Sequence, residues 1–186
     1  MRAEERSVAD LVVLESPVFG DERGLFREWF RADALSRAAA FRVAQANLSV
    51  SEHNVVRGLH YSLAREGQAK LVTCAAGTVD DVIVDIREGS PSFGAVDVVR
   101  LEAAAGRAVY LPPGVAHGFV VRSASATLVY LLSSPYNAPV ELEISPFDPA
   151  LAIPWDLDGE PVLSPKDAAA PTLGERRAAG QLPGYP

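Results

Sequence analysis

Gly106-Arg107-Ala108-Val109-Tyr110-Leu111-Pro112-Pro113-Gly114-Val115-Ala116-His117-Gly118-Phe119 is the stretch on which the fold turns. Pro112-Pro113-Gly114 signals a tight turn, because proline presets φ and glycine supplies the backbone freedom that closes the turn. On either side lie the apolar runs Ala108 to Leu111 and Gly118 to Arg122, so the segment reads as strand, turn, strand, with His117 aimed inward. Working outward, Lys70 to Ala75 and Thr78 to Ile86 are β-rich runs joined at Ala76-Gly77, a hairpin signal. Phe93 to Leu101 and Thr127 to Leu132 extend the series, each bounded by Gly, Pro or Ser. Short strands at such regular spacing predict an all-β sandwich or barrel. Gln45, Asn47, Ser49 and Ser51 share one parity and Ala46, Leu48 and Val50 the other, which in a strand places four polar groups on one face and suits the wall of a ligand cavity. The alanine-rich run Ala32 to Ala40 is expected to be helical. From Pro146 onward the chain is punctuated by proline, with Trp155, Leu163 and Leu173 as packing anchors, and reads as a short helical cap over one end of the barrel.

The chain of 186 residues carries 17 basic and 24 acidic side chains, a net charge of −7, and is 48% apolar. That is enough to build a core without disulfides or metals, so composition argues against disordered, collagen-like and disulfide-framework classes. The acidic balance argues against nucleic acid or anionic lipid as partner, while leaving room for a local basic pocket. The uncharged run Ser123 to Val140 is broken by Ser133, Ser134, Pro135, Asn137 and Pro139 and does not suit a membrane span. Met1 to Val12 is charged and unlike a signal peptide, so a cytoplasmic location is expected. No repeat or linker divides the chain; one domain over 1–186 is expected, with a core of about 10–170 and a tail over 171–186. Cys74 is the only cysteine, and His53, His60 and His117 are the only histidines. His53 lies in the polar turn Ser51-Glu52-His53-Asn54 and reads as a solvated loop residue.

The layout Gly106-x5-Pro112-x-Gly114-x2-His117 resembles the second motif of the cupins, a jelly-roll superfamily. A metal-binding cupin also brings an upstream His-x-His pair, which Gly58-Leu59-His60-Tyr61-Ser62 lacks, so no metal and no cofactor are expected. On the residues alone, His117 reads either as a site residue or as a histidine that fixes the turn. Seven motifs in order sharpen the resemblance: Asp21-x-Arg23-Gly24-x-Phe26, Gln45-x-Asn47-x-Ser49-x-Ser51, Arg57-Gly58-Leu59-His60-Tyr61, Gly67-Gln68-Ala69-Lys70, Val84-Asp85-Ile86-Arg87, Pro112-Pro113-Gly114-x-x-His117-Gly118-Phe119 and Leu163-Ser164-Pro165-Lys166-Asp167. Together they resemble the dTDP-4-dehydrorhamnose 3,5-epimerases, particularly the actinobacterial members that make antibiotic deoxysugars.

The resemblance implies a cupin double-stranded β-helix, a jelly-roll barrel with a few short helices near its N- and C-termini. It implies epimerisation of dTDP-4-dehydro-6-deoxy-D-glucose at C3 and C5, or at C3 only, giving dTDP-4-dehydro-L-rhamnose or a related deoxysugar. Such chemistry needs a base on one face of the sugar, a stabiliser for the enolate and an acid on the other face. By resemblance His60 is the base, Asp167 its carboxylate partner, Lys70 the cation facing the C4 oxygen and Tyr130 the proton donor. Taken alone, Asp167 also reads as a helix-capping acid, Lys70 as an edge-strand charge and Tyr130 as core. Arg23, Arg57 and Lys166 suit a diphosphate, with Gln45, Asn47 and Ser51 adding neutral hydrogen bonds and His117 also facing the substrate. Phe26 and Tyr136 resemble the residues that stack on thymine, Glu28 the group that reads the base edge, and Glu141 the family's acid on the sugar side. Asp81 reads equally as a partner for His117 or as an acid flanking the turn at Gly77. Arg57 and His60 have opposite parity, so a bulge or late strand start at Gly58 is expected to bring both inward. Val140-Glu141-Leu142-Glu143 departs from the family's commoner Glu-His or Glu-Gly. The resemblance further implies a homodimer in which N-terminal strands cross to the neighbour, bringing Arg23 and Phe26 to the partner's pocket. Competing readings are a cupin 3,4-ketoisomerase acting on the same dTDP-sugar and a non-catalytic cupin that binds a nucleotide-sugar.

Overall fold

A computed structural model describes residues 2–35, 41–64 and 67–186. In chain order its strands are β1 (Arg2–Glu5), β2 (Val12–Glu15), β3 (Val18–Asp21), β4 (Gly24–Arg27), β5 (Gln45–Glu52), β6 (Val56–Ser62), β7 (Lys70–Ala76), β8 (Thr78–Val84), β9 (Val96–Glu102), β10 (Arg107–Leu111), β11 (Ala116–Val121), β12 (Ser125–Leu132) and β13 (Glu141–Glu143). Two short helices, α1 (Pro165–Ala168) and α2 (Leu173–Ala178), close the chain. The strands form a six-stranded sheet in the order β1-β2-β10-β7-β12-β5, a five-stranded sheet in the order β13-β6-β11-β8-β9, and the separate hairpin β3-β4. Pairing within the sheets is antiparallel throughout, and the architecture is the cupin jelly roll that the motif resemblance implies.

Alternation along the strands explains the layers. Val72 and Cys74 of β7, Val79 and Ile83 of β8, Val109 and Leu111 of β10 and Leu128 of β12 meet in one buried cluster between the sheets. Strand β5 breaks the pattern. Its Gln45, Asn47, Ser49 and Ser51 lie opposite Leu132, Tyr130, Leu128 and Ala126 of β12, on the inner face. The apolar Leu48 and Val50 point outward and are 63% and 57% exposed. The polar-inward reading of this strand is therefore what the fold adopts.

The C-terminal segment differs from its expected place. Trp155 and Leu173, with Leu163 partly buried, pack with Val56, Tyr61, Val82, Val84 and Val120 on the outer face of the five-stranded sheet, rather than capping a barrel end. The physical reason is the sheet itself, since its outer face is apolar and a layer must cover it. Of the helix expected over Ala32 to Ala40, Ala32–Leu35 form a 3₁₀ turn, and positions 36–40 lie outside the described residues. Among the described residues, no helix is long and apolar enough to cross a membrane.

Candidate active site

His60 and His117 face one another across β6 and β11, and each is bonded to a buried carboxylate. His117 Nε2 lies 2.6 Å from Asp81 Oδ1, and His60 Nε2 lies 2.7 Å from Asp167 Oδ1. With carboxylate acceptors, both Nε2 atoms donate, which leaves Nδ1 as the basic nitrogen whenever either ring is neutral. Asp81 stands two positions along β8 from Ile83, the residue opposite His117, so the acid and the histidine of that pair come from adjacent strands. Asp167 arrives on α1, where Ser164 caps the helix by accepting from the Asp167 backbone N–H. Burial works to raise the Asp167 carboxyl, but hydrogen bonds from His60, Ser164 and the Gly58 N–H, with the charge of His60, outweigh it and hold the pKa below its usual value.

The register explains how His60 and Arg57 share a face. His117 lies opposite His60 while Phe119 lies opposite Arg57, so three steps on β6 match two on β11, a bulge at Gly58-Leu59. Only glycine fits there: Gly58 has φ of 117°, and a Cβ on it would come within 2.6 Å of Gly118 Cα. Beyond the bulge the Arg57 Nε donates to Ser51 Oγ at 2.9 Å, which joins β6 to the polar face of β5. Further along that face Gln45 Nε2 donates to Asn47 Oδ1, and the Tyr136 N–H donates to Gln45 Oε1, so β5 also holds the loop carrying Tyr136.

Lys70 opens β7 opposite Leu111 and Leu132. Its ammonium makes no hydrogen bond or ion pair with the described residues. Burial pushes its pKa below the ordinary lysine value, and the carboxylates of Glu141 and Asp81 oppose that shift. Glu141, opposite Ser62 on β13, keeps one buried oxygen without a hydrogen-bond partner. Tyr130 lies opposite Asn47 and Val72 and packs, half-buried, against the inner core. Side chains with base, cation and hydroxyl character thus occupy the inner faces of the two sheets.

Other expected site residues lie elsewhere in the single chain. Arg23, Phe26 and Glu28 sit on or just beyond the β3-β4 hairpin, where Arg23 pairs with Asp21 and Phe26 is 71% exposed. Arg27 anchors that hairpin by donating to Thr73 Oγ1 and to the Cys74 carbonyl. Thr73 belongs to the parity of β7 opposite to Lys70 and Val72, so the anchor is on the outer face of the six-stranded sheet. Lys166 reaches neither histidine; its Nζ is 2.8 Å from Glu143 Oε2, and that ion pair raises its pKa. Glu143, which stands opposite His60, is the residue near the site that the sequence reading passed over. His53 is a turn residue whose Nδ1–H donates to the Ser123 carbonyl at 3.2 Å.

Asp85 and Arg87 are scaffold. Both are fully buried, and Asp85, though burial works to raise it, is lowered to about 2 by hydrogen bonds from Arg87, Ser90 and Ser92. The Arg87 side chain lies under Gly114, where a Cβ would come within 3.0 Å of its Cγ, so this pair supports the Pro112-Pro113-Gly114 turn. A cavity of about 1070 Å³ lies between that turn, the N-terminal segment and the tail at Leu182–Pro186; neither His60 nor His117 lines it. Among the described residues no cluster of three or more His, Cys, Asp or Glu side chains is arranged to hold a metal ion.

The sequence model of the dTDP-4-dehydrorhamnose 3,5-epimerases matches residues 5–175, and so spans both histidine–carboxylate pairs. The chain belongs to that family. It is 48% identical over 167 residues to a dTDP-4-dehydrorhamnose 3-epimerase of Streptomyces niveus, covering 89% of this chain and 80% of that protein. It is 45% identical over 190 residues to the dTDP-4-dehydrorhamnose 3,5-epimerase of Mycobacterium tuberculosis (strain CDC 1551 / Oshkosh), covering 98% and 93%. The solved structure of NovW, a 4-keto-6-deoxy sugar epimerase from the novobiocin biosynthetic gene cluster of Streptomyces spheroides, superposes with a TM-score of 0.95 at 44% identity, covering 100% of this chain and 94% of that one. The family therefore includes relatives named for inversion at C3 alone and at both carbons, on one shared cupin frame.

Proposed function

We propose that this chain epimerises dTDP-4-dehydro-6-deoxy-D-glucose at C3 and C5, or at C3 only, by removing a proton beside the C4 ketone, and that it does so in the cytoplasm as a homodimer. The observation that carries the reading is the His60–Asp167 pair. The carboxylate is buried and bonded to one ring nitrogen at 2.7 Å, while the histidine side chain stays 42% exposed. A base built this way has its tautomer fixed, its free nitrogen open to a substrate, and a counter-charge ready for the imidazolium that forms.

The rest of the step follows from charge. Removing the C3 proton moves an electron pair toward C4 and leaves negative charge on the C4 oxygen. Lys70, unpaired and partly desolvated, suits that oxygen, because its attraction grows as the enolate forms. Tyr130 then returns a proton from the opposite face and completes the inversion. Arg57 and Lys166, with Gln45, Asn47, Ser51 and His117, suit the phosphates and polar edges of the nucleotide-sugar, Glu141 its sugar side and Tyr136 the thymine.

Exposed apolar surface supports the dimer. Phe19, Leu25 and Phe26 of the hairpin are 64%, 51% and 71% exposed, as are Leu48 and Val50 on edge strand β5. Such side chains and an open sheet edge favour association. In this reading the partner receives Arg23, Phe26 and Glu28 at its own site.

Incubation with the substrate in deuterated water tests the proposal: deuterium is expected at C3, and also at C5 if both centres react. A folded enzyme that exchanges neither would overturn it. Migration of the carbonyl from C4 to C3, seen by NMR of the product, would instead favour the ketoisomerase reading. Tyr130→Phe is expected to keep proton exchange while lowering formation of inverted product about a hundredfold; equal loss of both would assign the proton return elsewhere.

A further inference from the structure

We propose that Glu143 is a positioning residue for this reaction: its carboxylate fastens the short helix that carries Lys166 and Asp167 against His60. The inference rests on the epimerase reading of the site and adds to it the element that holds the base's partner in place.

Helix α1 has four residues. A single helical turn has no stability of its own, so its place is set by backbone bonds at its flanks, from the Val56 N–H to the Val162 carbonyl and from the Ser145 N–H to the Pro171 carbonyl, and by its own side chains. Toward β6 it offers Asp167, bonded to His60 and, at 3.5 Å, to the Gly58 N–H. Its other anchor is Lys166, whose ammonium meets Glu143 at 2.8 Å. Glu143 stands opposite His60 in the pairing of β13 with β6, so the anchor and the base occupy one cross-strand pair. The second carboxylate oxygen of Glu143 lies 3.7 Å from Arg176 of α2, whose Nε also donates to the Glu143 carbonyl at 2.9 Å. Both terminal helices are thus attached to the same residue of a three-residue edge strand.

The two ends of the Lys166–Glu143 pair are unequal. Glu143 is 15% exposed and held by the strand, whereas Lys166 is 57% exposed. Without the carboxylate, Lys166 is free to turn to solvent, and of the α1 side chains Asp167 alone then bonds to β6, with backbone bonds at Val162 and Pro171 holding the flanks. The hydrogen bond that sets the His60 tautomer would carry more of the attachment, and it would open more often.

Three histidines make the test direct. In protein labelled with ¹⁵N-histidine, the Nε2–H protons of His60 and His117 are both held by carboxylates, which should slow their exchange with water. Glu143→Gln is expected to broaden the His60 signal and leave that of His117 unchanged. It should lower kcat about fivefold, the effect of losing a partly exposed ion pair, with little change in KM, and Glu143→Asp should restore part of both. Lys166→Met, which cuts the same pair from the solvent side, should broaden the His60 signal too and stands in if Glu143→Gln fails to fold. An unchanged His60 signal in these variants overturns the proposal. So does tighter dTDP binding with signal and turnover unaltered, which would make Glu143 a charge screen for Lys166. If the wild type exchanges no deuterium, the epimerase reading fails, while the imidazole signal still decides whether Glu143 holds Asp167 to His60.

Discussion

Two histidine–carboxylate pairs lie side by side in this molecule and are built in different ways. His117 and Asp81 come from neighbouring strands of one sheet; the histidine side chain is 12% exposed and the acid is fully buried. His60 takes its acid from a helix 107 residues further along the chain, and its ring remains 42% exposed. Sheet geometry alone suffices to make the first pair, and the result is closed and rigid. The second needs the C-terminal segment to cross the outer face of the sheet and deliver one carboxylate to its rim. In return one ring nitrogen remains free to meet a substrate. Similar bonds at 2.6 and 2.7 Å therefore leave one histidine enclosed and the other open, and the proposed function gives the open one the acid–base role.

The largest expected effect separates the histidines. His60→Ala should reduce solvent deuterium incorporation by about a thousandfold or more, the range of a lost general base, whereas His117→Ala should lower it far less. Equal losses would break the distinction. The acids come next. Asp167→Asn should cut kcat about a hundredfold, the low end of a positioned base's contribution, through the wrong tautomer, and should also cost stability, because its carboxylate is buried and bonded to His60 and the Gly58 N–H. Asp81→Asn should lose a comparable stability, about 1.5–3 kcal/mol for a buried hydrogen bond to a charged group, measured by chemical denaturation, with a much smaller loss of kcat. A variant pair that responds identically would mean that exposure does not distinguish the two sites.

The smallest effect links the closed pair to the chemistry. Lys70 has its pKa lowered by burial, with Glu141 and Asp81 opposing the shift. If the ammonium is the active form, kcat falls as pH rises through that lowered value, earlier than an ordinary lysine would dictate. Asp81→Asn removes one of the opposing charges, so the alkaline limb should move to still lower pH, while Asp167→Asn should leave it in place. A limb that ignores Asp81 would free Lys70 from this network. These profiles are read from initial rates across pH with a folding check at each point.

Much of the arrangement was legible in the residues, for reasons that can be named. The polar parity of Gln45, Asn47, Ser49 and Ser51 reveals an inward polar face because side chains in a strand alternate strictly. The conflict between Arg57 and His60 forecasts a bulge because Gly58 sits between them, and the register shows one there. The covering of the outer sheet face by Trp155 and Leu173 was not legible, since apolar anchors announce that they will be buried and not against which layer. Glu143 was missed for a related reason. An acid in a short edge strand looks like any solvated charge until Lys166 and Arg176 arrive from helices more than 20 residues away.

By itself the sequence determined what alternation and turn chemistry can encode locally: short antiparallel strands, the Pro112-Pro113-Gly114 turn, a polar inner strand and, through ordered motifs, the family. The family resemblance implied Asp167 as the partner of His60; only the tertiary structure decided that Asp81 bonds His117 rather than merely flanking the turn, that Arg27 holds the β3-β4 hairpin on the far face of its sheet, and that Glu143 ties both helices beside His60. The division has a physical cause. Strand periodicity and turn conformation depend on neighbours in the chain, whereas a hydrogen bond spanning 107 residues depends on how separate layers pack, and no local pattern contains that distance.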